Sequence, residues 1–290
     1  MGKIFEALEK SKQTVSSDRV VDQNLPLPDD NQIMMDTTKE ATPKSHHKTV
    51  LKMEEFDFDL PQNLSAFLVT LTKPESIEAE QFRLLKNNIL FPEKGTPPRS
   101  IMITSASPGE GKSFVASNLA VSIAQNIDEH VLLMDCDLRS PKIHSIFNLP
   151  QGPGLSEYLS QEMLLSPLLV KTFVNKLTIL PAGAIPKNPS ELLSSEQMRK
   201  LIREVRLRYR DRYIIIDTPP PYITSEANAL VRQVDGVIMV IRHGKTRKKD
   251  VEDIINIYGR EKIIGVVQNF AEKRTGYGYG YYKYGYGYGK

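Results

Sequence analysis

One cysteine, no tryptophan and five histidines stand among 290 residues. The lone Cys136 rules out an internal disulfide, and its place between two aspartates reads as a small buried side chain rather than a redox switch. His243 has no cysteine or second histidine near it, so no zinc site is expected there. No apolar run approaches the roughly 18–20 residues of a membrane-spanning helix. The opening Met1–Lys10 lacks the apolar stretch and cleavage site of a secretory signal. A net charge of +3 is too small to demand nucleic acid or a membrane surface as partner. What these absences leave is a cytoplasmic chain long enough for one large α/β domain with extensions.

Large apolar residues are scarce near the start. Residues 1–12 are expected to form a short amphipathic helix, with Ile4, Phe5 and Leu8 on one face, too short to be stable alone. Residues 13–63 are polar, which predicts a flexible linker. The folded domain is expected over residues 64–271, with Thr72-Lys-Pro-Glu75 as a capping box opening a helix that runs to Leu90. Apolar strands then alternate with helical stretches, at 100–105, 130–134, 177–180, 213–217, 236–241 and 263–267. That alternation predicts an α/β fold, a mostly parallel sheet flanked by helices on both faces. From Ser190 to Tyr209 the pattern predicts one amphipathic helix offering Leu192, Leu193, Met198, Leu201, Ile202, Val205 and Leu207 to the core. The basic run Arg242–Lys249 reads either as a solvated loop and helix start or as an attractor of phosphate.

Ala106-Ser-Pro-Gly-Glu-Gly-Lys-Ser113 lies between an apolar run and an amphipathic stretch, the strand–loop–helix setting that a phosphate-binding loop requires. Gly109 and Gly111 allow backbone amides to turn inward, and the helix that follows adds its positive end. Lys112 then reaches phosphate oxygens and the Ser113 hydroxyl binds Mg²⁺. Ala106 stands where the strict motif has glycine, and an ordinary turn before a helix is the plainer alternative. Two later strands end in acids, Asp135 and Asp137 before Arg139, and Asp217 before three prolines. In a parallel sheet such strand ends face the ligand crevice, so all three aspartates are expected to converge on the loop. Mg²⁺ takes few protein carboxylates beside a nucleotide, which leaves one to accept a proton.

These residues resemble the bacterial tyrosine autokinases of capsule and exopolysaccharide export, P-loop ATPases related to the Min and Par positioning proteins. The resemblance spans about residues 72–290 and is carried by the loop, by Asp-Cys-Asp-Leu-Arg-Ser-Pro, by Asp-Thr-Pro-Pro-Pro and by Leu180-Pro-Ala-Gly183 with Asn188-Pro-Ser-Glu-Leu-Leu193. It implies ATP and Mg²⁺ as cofactors. Pro108, Gly109, Glu110, Gly111, Lys112, Ser113 and Phe114 would cradle the nucleotide, and Asn269 would read the adenine. Ser113, Asp137 and Asp217 would serve the metal, Asp135 the proton transfer, and Arg139 the nearby charge. Glu80, Arg83 and Lys86 match a ring-forming helix, with Lys86 where the family usually has arginine. Further expectations are a membrane chain-length or activator protein that recruits the chain to the inner membrane face, and other protein substrates; nucleic acid is not expected.

The last fourteen residues hold seven tyrosines, Tyr277, Tyr279, Tyr281, Tyr282, Tyr284, Tyr286 and Tyr288. Residues 272–290 read as a disordered Tyr/Gly-rich tail, since alternating glycine opposes helix and core alike. The resemblance makes these tyrosines phosphoacceptors of an ATP-dependent autokinase. A sticky aromatic tail that contacts partners or RNA bases remains the alternative for the segment. For the whole chain the alternatives are a Min/Par-like switch ATPase and a nucleotide-gated scaffold. Positioning ATPases carry a lysine five residues before the loop lysine; here that residue is Ser107.

Overall fold

A computed structural model describes residues 64–161, 163–208, 212–221 and 226–271. The chain divides into units Met1–Glu54 and Glu55–Lys290, and every described residue belongs to the second. The expected N-terminal helix, the linker and the tyrosine tail lie outside the described residues.

Seven strands run β1 (Ser100–Ser105), β2 (His130–Asp135), β3 (Val170–Lys171), β4 (Leu177–Leu180), β5 (Arg212–Asp217), β6 (Gly236–Arg242) and β7 (Ile263–Asn269). Their order in the sheet is β3-β4-β2-β5-β1-β6-β7, parallel except for the β3–β4 pair. Each predicted strand is present within about a residue or two; the central ones are hydrophobic runs buried on both sides, while β7 at the edge leaves Ile264 and Val266 exposed. The two-residue β3 was not predicted; it is too short to carry a period.

Alternate residues of the strands feed two cores. On one face Met102, Leu132, Met134, Ile214 and Ile216 meet helices α5 (Leu155–Gln161), α6 (Pro189–Ser194), α7 (Glu196–Arg208) and α9 (Lys248–Tyr258). On the other, Ile101, Ile103, Val131, Leu133 and Ile215 meet α2 (Ile77–Leu90), α3 (Lys112–Ala124) and α4 (Ile143–Ile146). Short helices α1 (Val69–Thr72) and α8 (Glu226–Leu230) complete the fold. The six mutually parallel strands put their carboxyl ends on one rim, where the loop after β1 lies.

Three expectations need correction. The α2 helix starts after Ser76, whose side chain accepts from the Ala79 amide. Thr72 ends α1 instead, and its hydroxyl is spent on the Leu68 carbonyl at 3.0 Å, so the apparent box never forms. The helix predicted over 190–209 is broken at Ser195, which is extended (φ −66°, ψ 160°) and caps the next helix by accepting from the Met198 amide. Leu207 is 63% exposed rather than part of the core.

The α3 helix is buried nearly all round, and one polar side chain locks it to the preceding segment. Asn118 Oδ1 accepts from the Thr70 amide and hydroxyl at 3.1 Å each, while its Nδ2 donates to the Phe67 and Phe114 carbonyls at 2.7 and 2.9 Å. Asn118→Leu strands these buried groups and is expected to cost about 2–4 kcal/mol. Urea unfolding checks this, and an unchanged midpoint would show that the four bonds are replaceable.

Candidate active site

The chain leaves β1 at Ser105 and enters α3 at Lys112 through a turn in which Gly109 and Gly111 take φ +76° and +94°. Those left-handed angles suit only glycine without strain and aim successive amides at one point beyond the helix end. The loop is braced from within. Glu110, 4% exposed, accepts from the Ser107 amide at 3.0 Å through one carboxylate oxygen. Its other oxygen accepts the Thr246 hydroxyl, which in turn accepts from the Arg242 amide at 2.7 Å. The basic segment after β6 is therefore tied to the phosphate loop by a threonine, a role that nothing in its charge pattern signalled. Its cations are partly engaged elsewhere: Arg247 and Asp250 pair at the start of α9, Lys248 pairs with Glu252, and Arg242 lies 4.4 Å over the Phe270 ring. His243 contacts the Gln268 amide across β6 and β7.

Lys112, Ser113, Asp137 and Asp217 come together as the sequence predicts. Lys112 Nζ lies 3.7 Å from Asp137 Oδ2, both nearly buried. Ser113 Oγ donates to Asp217 Oδ2 at 2.5 Å, and the second oxygen, Asp217 Oδ1, is buried with no hydrogen-bond partner. Asp135 is paired in register with Asp217 on the neighbouring strand and fully buried. Its Oδ2 accepts the Lys142 and Ile143 amides at 3.1 and 3.0 Å, and its Oδ1 accepts the Asp137 amide at 3.2 Å. Arg139 donates to Ser190 Oγ at 3.1 Å, near the start of α6. Phe114 is half-buried and edge-on to Phe82 at 5.7 Å. Cys136 is buried, in keeping with its expected packing role.

Three carboxylates around one lysine make the site electrostatically frustrated. Burial lifts Asp217 from an ordinary 3.8 to about 7, opposed by Lys112 and the Ser113 hydroxyl and aided by Asp137. Burial also pushes Asp135 well up, with the charge of Asp217 adding to it against the two backbone amides. Burial raises the Cys136 thiol too, and the surrounding aspartates reinforce that shift. An orphaned buried carboxylate oxygen beside a hydroxyl fits a site shaped for a cation that arrives with its own charge. Among the described residues no group of three or more His, Cys, Asp or Glu could hold a metal ion alone. Mg²⁺ bound with a nucleotide needs only one or two protein ligands beside phosphates and water.

The far wall is the end of β7. Asn269 Nδ2 donates to the Glu110 carbonyl at 3.0 Å, and a Cβ placed on Gly111 would overlap the same amide group. Gly111→Ala thus meets both a forbidden angle and a clash. It is expected to weaken nucleotide binding roughly tenfold to a hundredfold, measured by calorimetry. Unchanged affinity would show that the loop amides do not bind the phosphates.

Such a loop, buried lysine and strand-end acids define a P-loop nucleotide-binding protein. A family profile for ParA, described as NUBPL iron-transfer P-loop NTPase, matches residues 97–276. The chain is 37% identical over 204 residues to the tyrosine-protein kinase YwqD of Bacillus subtilis, covering 70% of this chain and 85% of that protein. Two solved structures superpose with TM-score 0.65. They are the chimerical protein CapA2B2 (34% identity, 72% of this chain and 93% of that one) and the kinase domain of Escherichia coli tyrosine kinase ETK (30%, 76% and 88%). The chain belongs to the bacterial tyrosine kinase family, within the ParA-like P-loop NTPases.

Proposed function

We propose that this protein uses Mg-ATP to phosphorylate the tyrosines of its own C-terminal tail, and thereby regulates capsule or exopolysaccharide assembly and export. The observation that carries the reading is the hydrogen bond from Asn269 to the phosphate loop, because the tail departs from that strand end. Tyr277 follows Asn269 by eight residues, which span at most about 28 Å when extended. Later tyrosines reach further, to a neighbouring subunit's site as well as their own.

Bound Mg-ATP supplies the phosphoryl group and the charge around which these side chains are disposed. Lys112 would neutralise phosphate oxygens, Ser113, Asp137 and Asp217 would hold the cation, and Asn269 would contact the base. Phosphoryl transfer is mostly positioning and charge neutralisation, so a rigid loop with buried charges is the main requirement. A phenol with pKa near 10 is a weak nucleophile at neutral pH. Asp135 would take its proton in its ionised form, since burial raises that carboxyl's affinity for one, and one of its bonds from the Asp137, Lys142 and Ile143 amides would yield to the phenol. Arg139 supplies positive charge at the rim.

Among the described residues no helix is long and apolar enough to cross a membrane. A membrane chain-length protein is proposed to recruit the chain to the inner face, with a ring assembled through α2. Arg83 now bonds Glu80 at 2.7 Å and the Pro74 carbonyl at 2.6 Å, and Lys86 donates to Asn126 at 3.0 Å. Ring formation exchanges some of these contacts for intersubunit ones. Changing all seven tail tyrosines to phenylalanine should leave ATP affinity intact, abolish phosphate incorporation in the tail and keep the assembly together in ATP. Each phosphotyrosine adds about −1.5 to −2 charge, so full modification overwhelms a net +3. Disassembly of the phenylalanine variant at the normal rate would refute this part. The ParA match favours a second reading, a switch that hydrolyses ATP without transfer; Ser107 in place of the trans lysine speaks against it.

A further inference from the structure

Phe270 follows β7 directly, and its backbone turns left-handed there, at φ +56°. That region strains a bulky aromatic residue, and strain of this kind gathers at ligand sites. Asn269 holds the turn against the phosphate loop. Its Oδ1 accepts the Phe270 amide at 2.9 Å, while its Nδ2 is spent on the Glu110 carbonyl. A Cβ built on Gly111 would lie 3.7 Å from Cε2 of the Phe270 ring, so the ring stands where the loop enters α3. The Arg242 guanidinium lies over the ring, 4.4 Å from its centroid, which helps to fix its plane. Phe270 is nevertheless 53% exposed and belongs to neither apolar core. Strain and exposure both cost stability, and core packing offsets neither.

The two sides of the phosphate loop differ in chemistry. In the sheet, β5 and β2 lie on one side of β1, and β6 and β7 on the other. The first side presents Asp135, Asp137 and Asp217, a rim of carboxylates suited to a cation. The second presents an amide side chain, an aromatic ring and a guanidinium. A nucleotide base is flat, aromatic and uncharged, so the second wall suits it and the first does not.

We propose that Phe270 is a base-stacking residue: the ring face that Arg242 leaves open packs on the base of the bound nucleotide, beside Asn269. The inference rests on the nucleotide site described above and is independent of where the phosphoryl group goes. The chain has no tryptophan, so Phe270→Trp installs a single indole as reporter in the full-length protein. Its emission should be quenched by Mg-ATP and unchanged by Mg-tripolyphosphate, which has phosphates but no base. Phe270→Gly suits the left-handed backbone, so the turn survives without the ring. Calorimetry should find its ATP affinity lowered about fivefold to a hundredfold, the usual worth of one base–aromatic stack. Its tripolyphosphate affinity should match the parent's, and Phe270→Tyr, which keeps the ring, should bind ATP as the parent does. An indole that ignores bound ATP or responds equally to tripolyphosphate would overturn the proposal and leave the phosphate site standing. Equal loss of both affinities in Phe270→Gly would do the same. A parent chain that binds no Mg-ATP would overturn the phosphate site and this inference with it.

Discussion

Replacing Lys112 by methionine is expected to reduce tail phosphorylation by at least about a hundred- to a thousandfold, the usual loss when one preorganised charge is removed. Methionine is unbranched and only one heavy atom shorter, so α3 should form and its core should pack as before. The electrostatic consequence is specific. Lys112 is the main group that opposes the upward shift of Asp217, and it sits 3.7 Å from Asp137. Without it both carboxylates face each other uncompensated, and the nucleotide-free variant should lose stability as pH rises. Rapid-quench measurement of phosphate transfer at saturating ATP, beside a thermal melt at pH 6 and pH 8, separates the two effects. Full activity in this variant would place the phosphate-binding charge elsewhere.

Asp217→Asn should have opposite effects on stability and on activity. In the nucleotide-free protein the folded state holds the Asp217 proton more tightly than the unfolded chain, with values of about 7 and 3.8. The folded state therefore binds more protons between those values, and stability falls as pH rises through that window. The contribution is fully present below pH 3.8 and gone above about 7. Asparagine cannot titrate, still accepts the Ser113 hydroxyl, and removes the buried charge. Gains of about 1–3 kcal/mol at pH 8 are expected from removing the buried charge, while the amide nitrogen that replaces Oδ1 stays unpartnered. Metal-dependent nucleotide binding should meanwhile fall, because the cation loses a ligand. Urea midpoints at pH 5 and pH 8 decide the first part. A pH slope in the variant as steep as in the parent would show that Asp217 is not the titrating group.

This trade of stability for function has a visible origin. The sheet brings Asp135 and Asp217 into register on adjacent strands, and the chain places Asp137 two residues on. A protein selected for stability alone would not bury three acids around one lysine. Strained and charged groups of this kind mark a site that awaits a ligand with complementary charge.

Much of this could be read from sequence because the central strands are buried on both sides and their apolar runs stand out. The phosphate loop and the acids at strand ends follow from the same topology, since parallel strands deliver their carboxyl ends to one rim. What escaped was decided by contacts between distant residues or by competition between local options. Ser195 interrupts a helix whose apolar spacing continues across it, because its hydroxyl is worth more as a cap than as a helical side chain. Thr72 looked like a cap but had already bonded Leu68. Thr246 on Glu110 joins residues far apart in the chain, and three of the four bonds of Asn118 tie α3 to Phe67 and Thr70; neither has a local sequence signal. Leu207 lies on the side of α7 opposite Met198, Leu201, Ile202 and Val205, so its exposure follows the helical period, which its apolar character alone does not show.

Phosphate mapping by mass spectrometry on the intact chain tests the central claim most directly. The protein is incubated with Mg-ATP and the cytosolic segment of a candidate membrane partner, and ATP turnover is followed in parallel. The account predicts phosphate on Tyr277 to Tyr288, absent in Lys112→Met. Steady ATP hydrolysis with an unmodified tail would contradict it and make the protein a switch ATPase.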